Sequence, residues 1–203
     1  MKKRKWSLIA LLLVATVLGA CSNYKFKPTI HYEVDDFSNI NQRNEKVSLD
    51  SLKGKPWLGM FIFTNCETVC SPMTFNMTQI QEELVKRGVE DYNIVAFSVD
   101  PERDTPEALT EYLARYDVPD ESKWNLLTGY DQKYIEQFAL NSFKTLVQND
   151  PTSDQVIHGV TFFLVDEEGV AVKSYSGYSE KEDGVPIETI ALDLETLIEE
   201  MDK

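Results

Sequence analysis

Residues 57–73 read WLGMFIFTNCETVCSPM, a strand that stops and delivers two cysteines. From Trp57 to Phe63 the run is almost continuously apolar and rich in aromatics, with the length of a strand buried on both faces. Cys66 and Cys70 follow with three residues between them. At about 3.6 residues per helical turn, this spacing puts both sulfurs on one side of a turn, where they can converge on a soft cation or oxidise to a disulfide. Pro72 is tolerated in a first helical turn, and Met73, Met77, Ile80 and Leu84 recur at helical spacing up to Gly88. The two methionines could serve as thioether ligands, but their register with Ile80 and Leu84 assigns them to the core face. Asn93 to Asp100 is a second buried strand. Strand, helix, strand predicts a parallel right-handed crossover, with the cysteines in the crevice where open α/β sheets place their sites. The helix N-terminus there stabilises a thiolate, the form that both binds metal and attacks disulfides.

Working outward toward the N-terminus, Lys2, Lys3, Arg4 and Lys5 precede an apolar run from Leu8 to Leu18, then Gly19-Ala20-Cys21. The run falls short of the roughly 18 apolar residues that cross a bilayer, so residues 1–20 read as a signal peptide. Leu18-Gly19-Ala20-Cys21 resembles the bacterial lipobox. That resemblance implies lipidation of Cys21 and a lipid anchor on the extracytoplasmic face of the cell membrane, where two acyl chains hold a protein stably. Residues 21–31 then read as a lipidated tether, and 32–203 as one domain with a sizeable core. His31 has no partner ligand nearby in the sequence and is expected to be exposed and inert.

The formal charge is -14, and removing residues 1–20 takes away four basic residues and no acidic one, leaving -18. Such a chain repels nucleic acid and anionic lipid. With Cys21 lipidated, Cys66 and Cys70 are the remaining thiols of a domain outside the cytoplasm. A disulfide closing so short a loop constrains little of the unfolded chain, so the pair is expected to be chemical rather than structural.

Two short strand-like pieces, around Tyr32 to Phe37 and Lys46 to Leu49, flank a polar turn and predict an N-terminal β-hairpin. Asp100-Pro101-Glu102-Arg103-Asp104-Thr105-Pro106 is a charged turn opening a helix to about Tyr116. Asp104 is its expected N-cap, and Asp100 or Asp104 could influence the thiols from the same sheet edge. A strand at Trp124 to Thr128 and a helix from Asp131 to Leu140 follow. Residues 141–157, centred on Asn149-Asp150-Pro151-Thr152-Ser153-Asp154, read as a mobile loop. Val160 to Asp166 and Val170 to Tyr175 form a hairpin, and Pro186 to Met201 a closing helix. No internal repeat is apparent.

This order, with a cysteine pair after the first central strand, resembles thioredoxin-like proteins: an α/β fold with a central mixed sheet flanked by helices. In that fold the segment entering the hairpin, often Gly-Xaa-Pro-Thr, packs across from the cysteines. Gly159-Val160-Thr161 is the comparable segment, with Val160 in the proline position, and it would set His158 beside the thiols. A lipobox, FTNCETVCSPM, Ser98-Val99-Asp100-Pro101-Glu102-Arg103-Asp104-Thr105-Pro106 and a lone histidine before Phe162-Phe163-Leu164-Val165-Asp166 together resemble the Sco/SenC family, from about Tyr32 to Met201. Glu67 and Ser71 stand where the family has proline after each cysteine. The resemblance implies a copper ion held by Cys66, Cys70 and His158, and a metallochaperone, expected to be monomeric, that serves the dinuclear copper centre of cytochrome c oxidase, with apo subunit II as acceptor. Two thiolates and an imidazole suit Cu(I) and also accommodate Cu(II), while zinc accepts the same donors and commonly takes a fourth. A thiol–disulfide oxidoreductase that reduces the acceptor's cysteines needs Cys66 and Cys70 as a redox pair but not His158. Both readings stay open at this level, as does a weaker one, a redox sensor without turnover.

Overall fold

The computed structural model describes residues 24–181 and 184–201; the leader and Cys21 lie outside them. Among the described residues, no helix is long and apolar enough to cross a membrane.

The apolar run at the head of the site forms β4, Trp57–Ile62, with every residue buried. It lies inside an eight-stranded mixed sheet. On one side it pairs in parallel with β5, Asn93–Ser98, which pairs in parallel with β6, Trp124–Thr128. On the other side it runs antiparallel to β9, Thr161–Val165, itself antiparallel to β10, Val170–Ser176. The crossover from β4 to β5 is α2, Cys70–Arg87, and that from β5 to β6 contains α3, Pro106–Leu113. In α2, Met73, Met77, Ile80 and Leu84 are fully buried, so the methionines are core, as their spacing requires. Gly88 stops the helix at φ 74°, where the Val89 N–H turns back to the Leu84 carbonyl. Both faces of the central strands are therefore covered, which is why they read as unbroken apolar runs rather than alternating ones.

Between sheet and helices lies an aromatic cluster. Phe97 on β5 meets Phe37, Phe61 and Phe138 with ring centroids 5.4, 5.5 and 4.9 Å away. Phe138 and Phe143 come from α4, Gln132–Phe143, whose N-cap is Asp131. Each such ring contributes about 1.5–3 kcal/mol by leaving water, before any edge-to-face gain. The last helix, α5, Ile187–Met201, packs on α2 and buries Ile190, Leu194 and Leu197.

Three expectations are corrected. The N-terminal hairpin consists of β2, Ser38–Asn41, and β3, Lys46–Ser48, on the far edge beside β6. The expected first arm, β1, Tyr32–Glu33, instead crosses to the opposite edge and pairs with β10. The second arm ends early because Ser48 caps a short helix, α1, Leu49–Leu52, through a reciprocal bond with Ser51. Second, the segment expected as a tether is packed from Tyr24 onward. Phe26 is buried, the Thr29 and Ile30 amides both donate to the Val172 carbonyl, and the Tyr24 hydroxyl donates to Asp193 at 2.5 Å. Third, residues 141–157 are ordered: α4 runs on to Phe143, and β7, Val147–Asn149, pairs with β8, Val156–His158, as a separate two-stranded ribbon. Asp150 accepts the Thr152 amide and hydroxyl at the ribbon's tip, making a built turn of the polar stretch.

Candidate metal centre

Cys66 lies in the turn leaving β4, Cys70 is the first residue of α2, and His158 is the last residue of β8. Their donor atoms all lie within 4.8 Å of one another. Both cysteines are free thiols, Cys70 buried and Cys66 partly exposed. The N-cap position of α2, Val69, offers no side-chain hydrogen bond, and the Cys70 amide donates to Cys66 Sγ at 3.4 Å instead. A sulfur thus accepts the first amide of the helix, one of those left without an intrahelical partner, in the positive field of the helix end.

The histidine is equally defined. Its Nε2 is 3.3 Å from Cys70 Sγ, and its Nδ1 is 2.9 Å from the Gly159 carbonyl oxygen. A carbonyl only accepts, so Nδ1 carries the ring proton and Nε2 turns its lone pair to the sulfurs. Phe63 meets the ring edge-on at 5.7 Å. A Cβ on Gly159 would collide with Thr145 Oγ1, so the absence of a side chain there lets the chain close down behind His158. His31 is exposed and joins none of this.

Electrostatically, the two thiols share one proton. Hydrogen bonding from Cys70 draws the Cys66 thiol down to about 3; burial opposes this, and the backbone amides of Thr68 and Cys70 assist. Cys70 moves far upward, because it hydrogen-bonds the Cys66 thiolate and is itself buried. Cys66 is therefore the accessible thiolate and Cys70 the protected thiol. In the reduced protein, alkylation of Cys66 is expected to proceed at a rate nearly independent of pH from about 8 down to about 4, and to slow only as pH falls toward 3. Mass-spectrometric trapping against pH checks this. A rate dropping tenfold per pH unit below 8 would contradict it.

Asp104 is not the cap of α3; Thr105 is, its hydroxyl oxygen accepting the Ala108 amide. Asp104 is fully buried and accepts the Thr64 amide at 3.2 Å, the Thr64 hydroxyl at 2.6 Å and the Ser98 hydroxyl at 2.6 Å. It ties the end of β5 to the residue two places before Cys66, and burial raises its carboxyl. Asp100 pairs with Arg103 at 3.0 Å.

Taken together, the mixed sheet, the parallel crossover and a dithiol at its helix start define a thioredoxin-like domain with an imidazole added to the dithiol. The chain belongs to the SCO1/SenC family, whose pattern it matches over residues 28–195. It is 46% identical over 165 residues to the SCO1 protein homolog of Bacillus subtilis, covering 81% of this chain and 84% of that one. The solved structure of BsSco, described as a member of the Sco family of cytochrome c oxidase assembly proteins with a disulfide switch, superposes with a TM-score of 0.76 and 44% identity, covering 86% and 98% of the two chains. Copper-bound ScoI of Bradyrhizobium japonicum superposes with a TM-score of 0.67 and 28% identity, covering 81% and 99%.

Asn65 and Gln155, which bond to each other beside Cys66, and Thr145, which lies against Gly159, carry no mark in the sequence. Only the Gly159 position carried a signal, through its place in the Gly-Xaa-Pro-Thr comparison.

Proposed function

We propose that this protein is a copper metallochaperone for cytochrome c oxidase, holding copper through Cys66, Cys70 and His158 and passing it to the apo form of subunit II. The observation that carries this is the convergence of two sulfurs and one ring nitrogen within 4.8 Å. The donor set fits the metal: thiolates select Cu(I), and sulfur with imidazole also accommodates Cu(II). Three ligands on two separate segments leave coordination positions open to an incoming donor, so release can proceed by stepwise ligand exchange. The anchor is lipid on Cys21, at the extracytoplasmic face of the cell membrane, as the lipobox implies. The domain acts as a monomer.

Copper titration of the reduced soluble domain tests this, with Cys66→Ser as the comparison. Wild type is expected to bind one copper far more tightly than the variant; equal binding would sink the proposal.

A second reading is favoured by the asymmetry of the thiols. As a thiol–disulfide oxidoreductase, the Cys66 thiolate would attack one sulfur of an acceptor disulfide and release the other as thiolate. Cys70 would then give its proton to the acceptor thiolate first released and attack Cys66 Sγ, releasing the second acceptor thiolate. Two electrons pass to the acceptor, and Cys66 and Cys70 end as a disulfide. The related BsSco is described as having a disulfide switch.

A further inference from the structure

His158 reaches the cysteines from a ribbon outside the main sheet, and a two-stranded hairpin is marginally stable by itself. What presses its tip onto the cysteine loop is a small set of polar contacts. Gln155 Nε2 donates to the Asn65 carbonyl at 3.1 Å, and the Glu67 amide donates to Gln155 Oε1 at 3.3 Å. Asn65 and Glu67 are the immediate neighbours of Cys66, so one side-chain amide grips the backbone on both sides of a ligand, as a neighbouring strand would. Asn65 Nδ2 adds a bond to Asp154 Oδ2 at 3.1 Å, and Arg103 donates to the Asp154 carbonyl at 2.8 Å. The Asp154 side chain is largely exposed, whereas Gln155 is half-buried. Three residues beyond Gln155, at the end of β8, stands His158.

We propose that Gln155 is a positioning residue of the metal centre: by bridging Asn65 and Glu67 it fixes the distance between Cys66 and His158, so that imidazole and thiolates meet one ion together. The inference rests on the proposed copper site, and it concerns how the site is assembled rather than what it binds. Without the bridge the cysteine loop keeps its anchorage through Thr64 and Asp104, and the ribbon keeps its own pairing. What is lost is their registration.

The test compares Gln155→Ala and Gln155→Glu, each with and without His158→Ala. Gln155→Ala is expected to fold as wild type, to weaken Cu(II) binding about tenfold, the lower end for loss of an outer hydrogen-bonding partner, and to reduce nitrogen hyperfine coupling in the copper EPR spectrum. Gln155→Glu keeps the acceptor for the Glu67 amide but loses the donor to Asn65, and is expected to fall between. In the His158→Ala background, Gln155→Ala should cost no further affinity, because the residue acts through the histidine. In metal-free protein, amide exchange at Glu67 and through residues 147–158 should accelerate in Gln155→Ala. Unchanged affinity, EPR and exchange would overturn the proposal, as would an equal loss with and without His158. If wild type binds no copper, the chaperone reading fails, and the exchange rates alone then decide for or against the bridge.

Discussion

His158→Ala is expected to weaken Cu(II) binding by more than about a hundredfold, beyond the 10–100-fold that follows loss of an outer partner, while both thiols remain. The expectation rests on a tautomer set by the protein. Because the Gly159 carbonyl holds the proton on Nδ1, the nitrogen facing Cys70 Sγ at 3.3 Å is a free donor before any metal arrives. Cu(I), which two thiolates hold well, should be affected less than Cu(II). The same variant separates the two functional readings. Chaperoning of Cu(II) is expected to fail, whereas exchange with a small disulfide is expected to persist through Cys66 and Cys70. Isothermal titration with each copper state, beside a disulfide-reduction assay, reads both. Wild-type Cu(II) affinity in His158→Ala would remove the histidine from the ligand set.

Asp193→Ala is expected to lower stability by about 3 kcal/mol and the melting temperature by about 10 °C. Asp193 is fully buried and gathers three donors: Lys173 Nζ at 2.6 Å, the Tyr175 hydroxyl at 2.8 Å and the Tyr24 hydroxyl at 2.5 Å. Removing the carboxylate strands the mostly buried ammonium of Lys173, and a buried charge without its partner costs far more than the pair contributes. The Tyr24 hydroxyl, held up to about 12 chiefly by its hydrogen bond to Asp193, should then titrate near the ordinary tyrosine value of about 10. Calorimetry and a spectrophotometric tyrosine titration check the two parts. Asp193→Leu combined with Lys173→Met should be much milder than Asp193→Ala, because no charge is left unpaired. A double variant as unstable as the single one would assign the loss to packing instead.

The parts of the molecule that were legible in the sequence are those where one signal dominates. Trp57–Ile62 and Asn93–Ser98 are buried on both faces, so their apolar runs could only be central strands. Met73, Met77, Ile80 and Leu84 carried the helix, and the dithiol at its start followed from chain order. The N-terminal segment was illegible because Phe26 and Tyr24 stand singly among lysines and proline, without a period; the burial of Phe26 and the bond from Tyr24 to Asp193 depend on β10 and α5, which come much later in the chain. The ribbon was illegible for a different reason. Its arms are three residues each, and the turn-forming residues between them outweigh so short a pattern. Asp104 carried a true signal for a special role and a false one for which role: Thr105, one place on, is equally good as a cap, and only the fold brings Thr64 and Ser98 to the carboxylate. Composition did not mark His158 as a ligand, and neither did spacing; the family resemblance named it, and the ribbon set it at the sulfurs.

The fastening of Tyr24 also sets a working radius. With lipid on Cys21 as proposed, two residues, Ser22 and Asn23, separate the membrane-bound end from a side chain held in the body of the domain, and the three steps from Cys21 to Tyr24 extend at most about 11 Å. The domain then cannot patrol the space beyond the membrane like a ball on a string. It would ride on the lipid surface, and any copper it delivers would go to an acceptor whose site lies within a single domain's height of that surface.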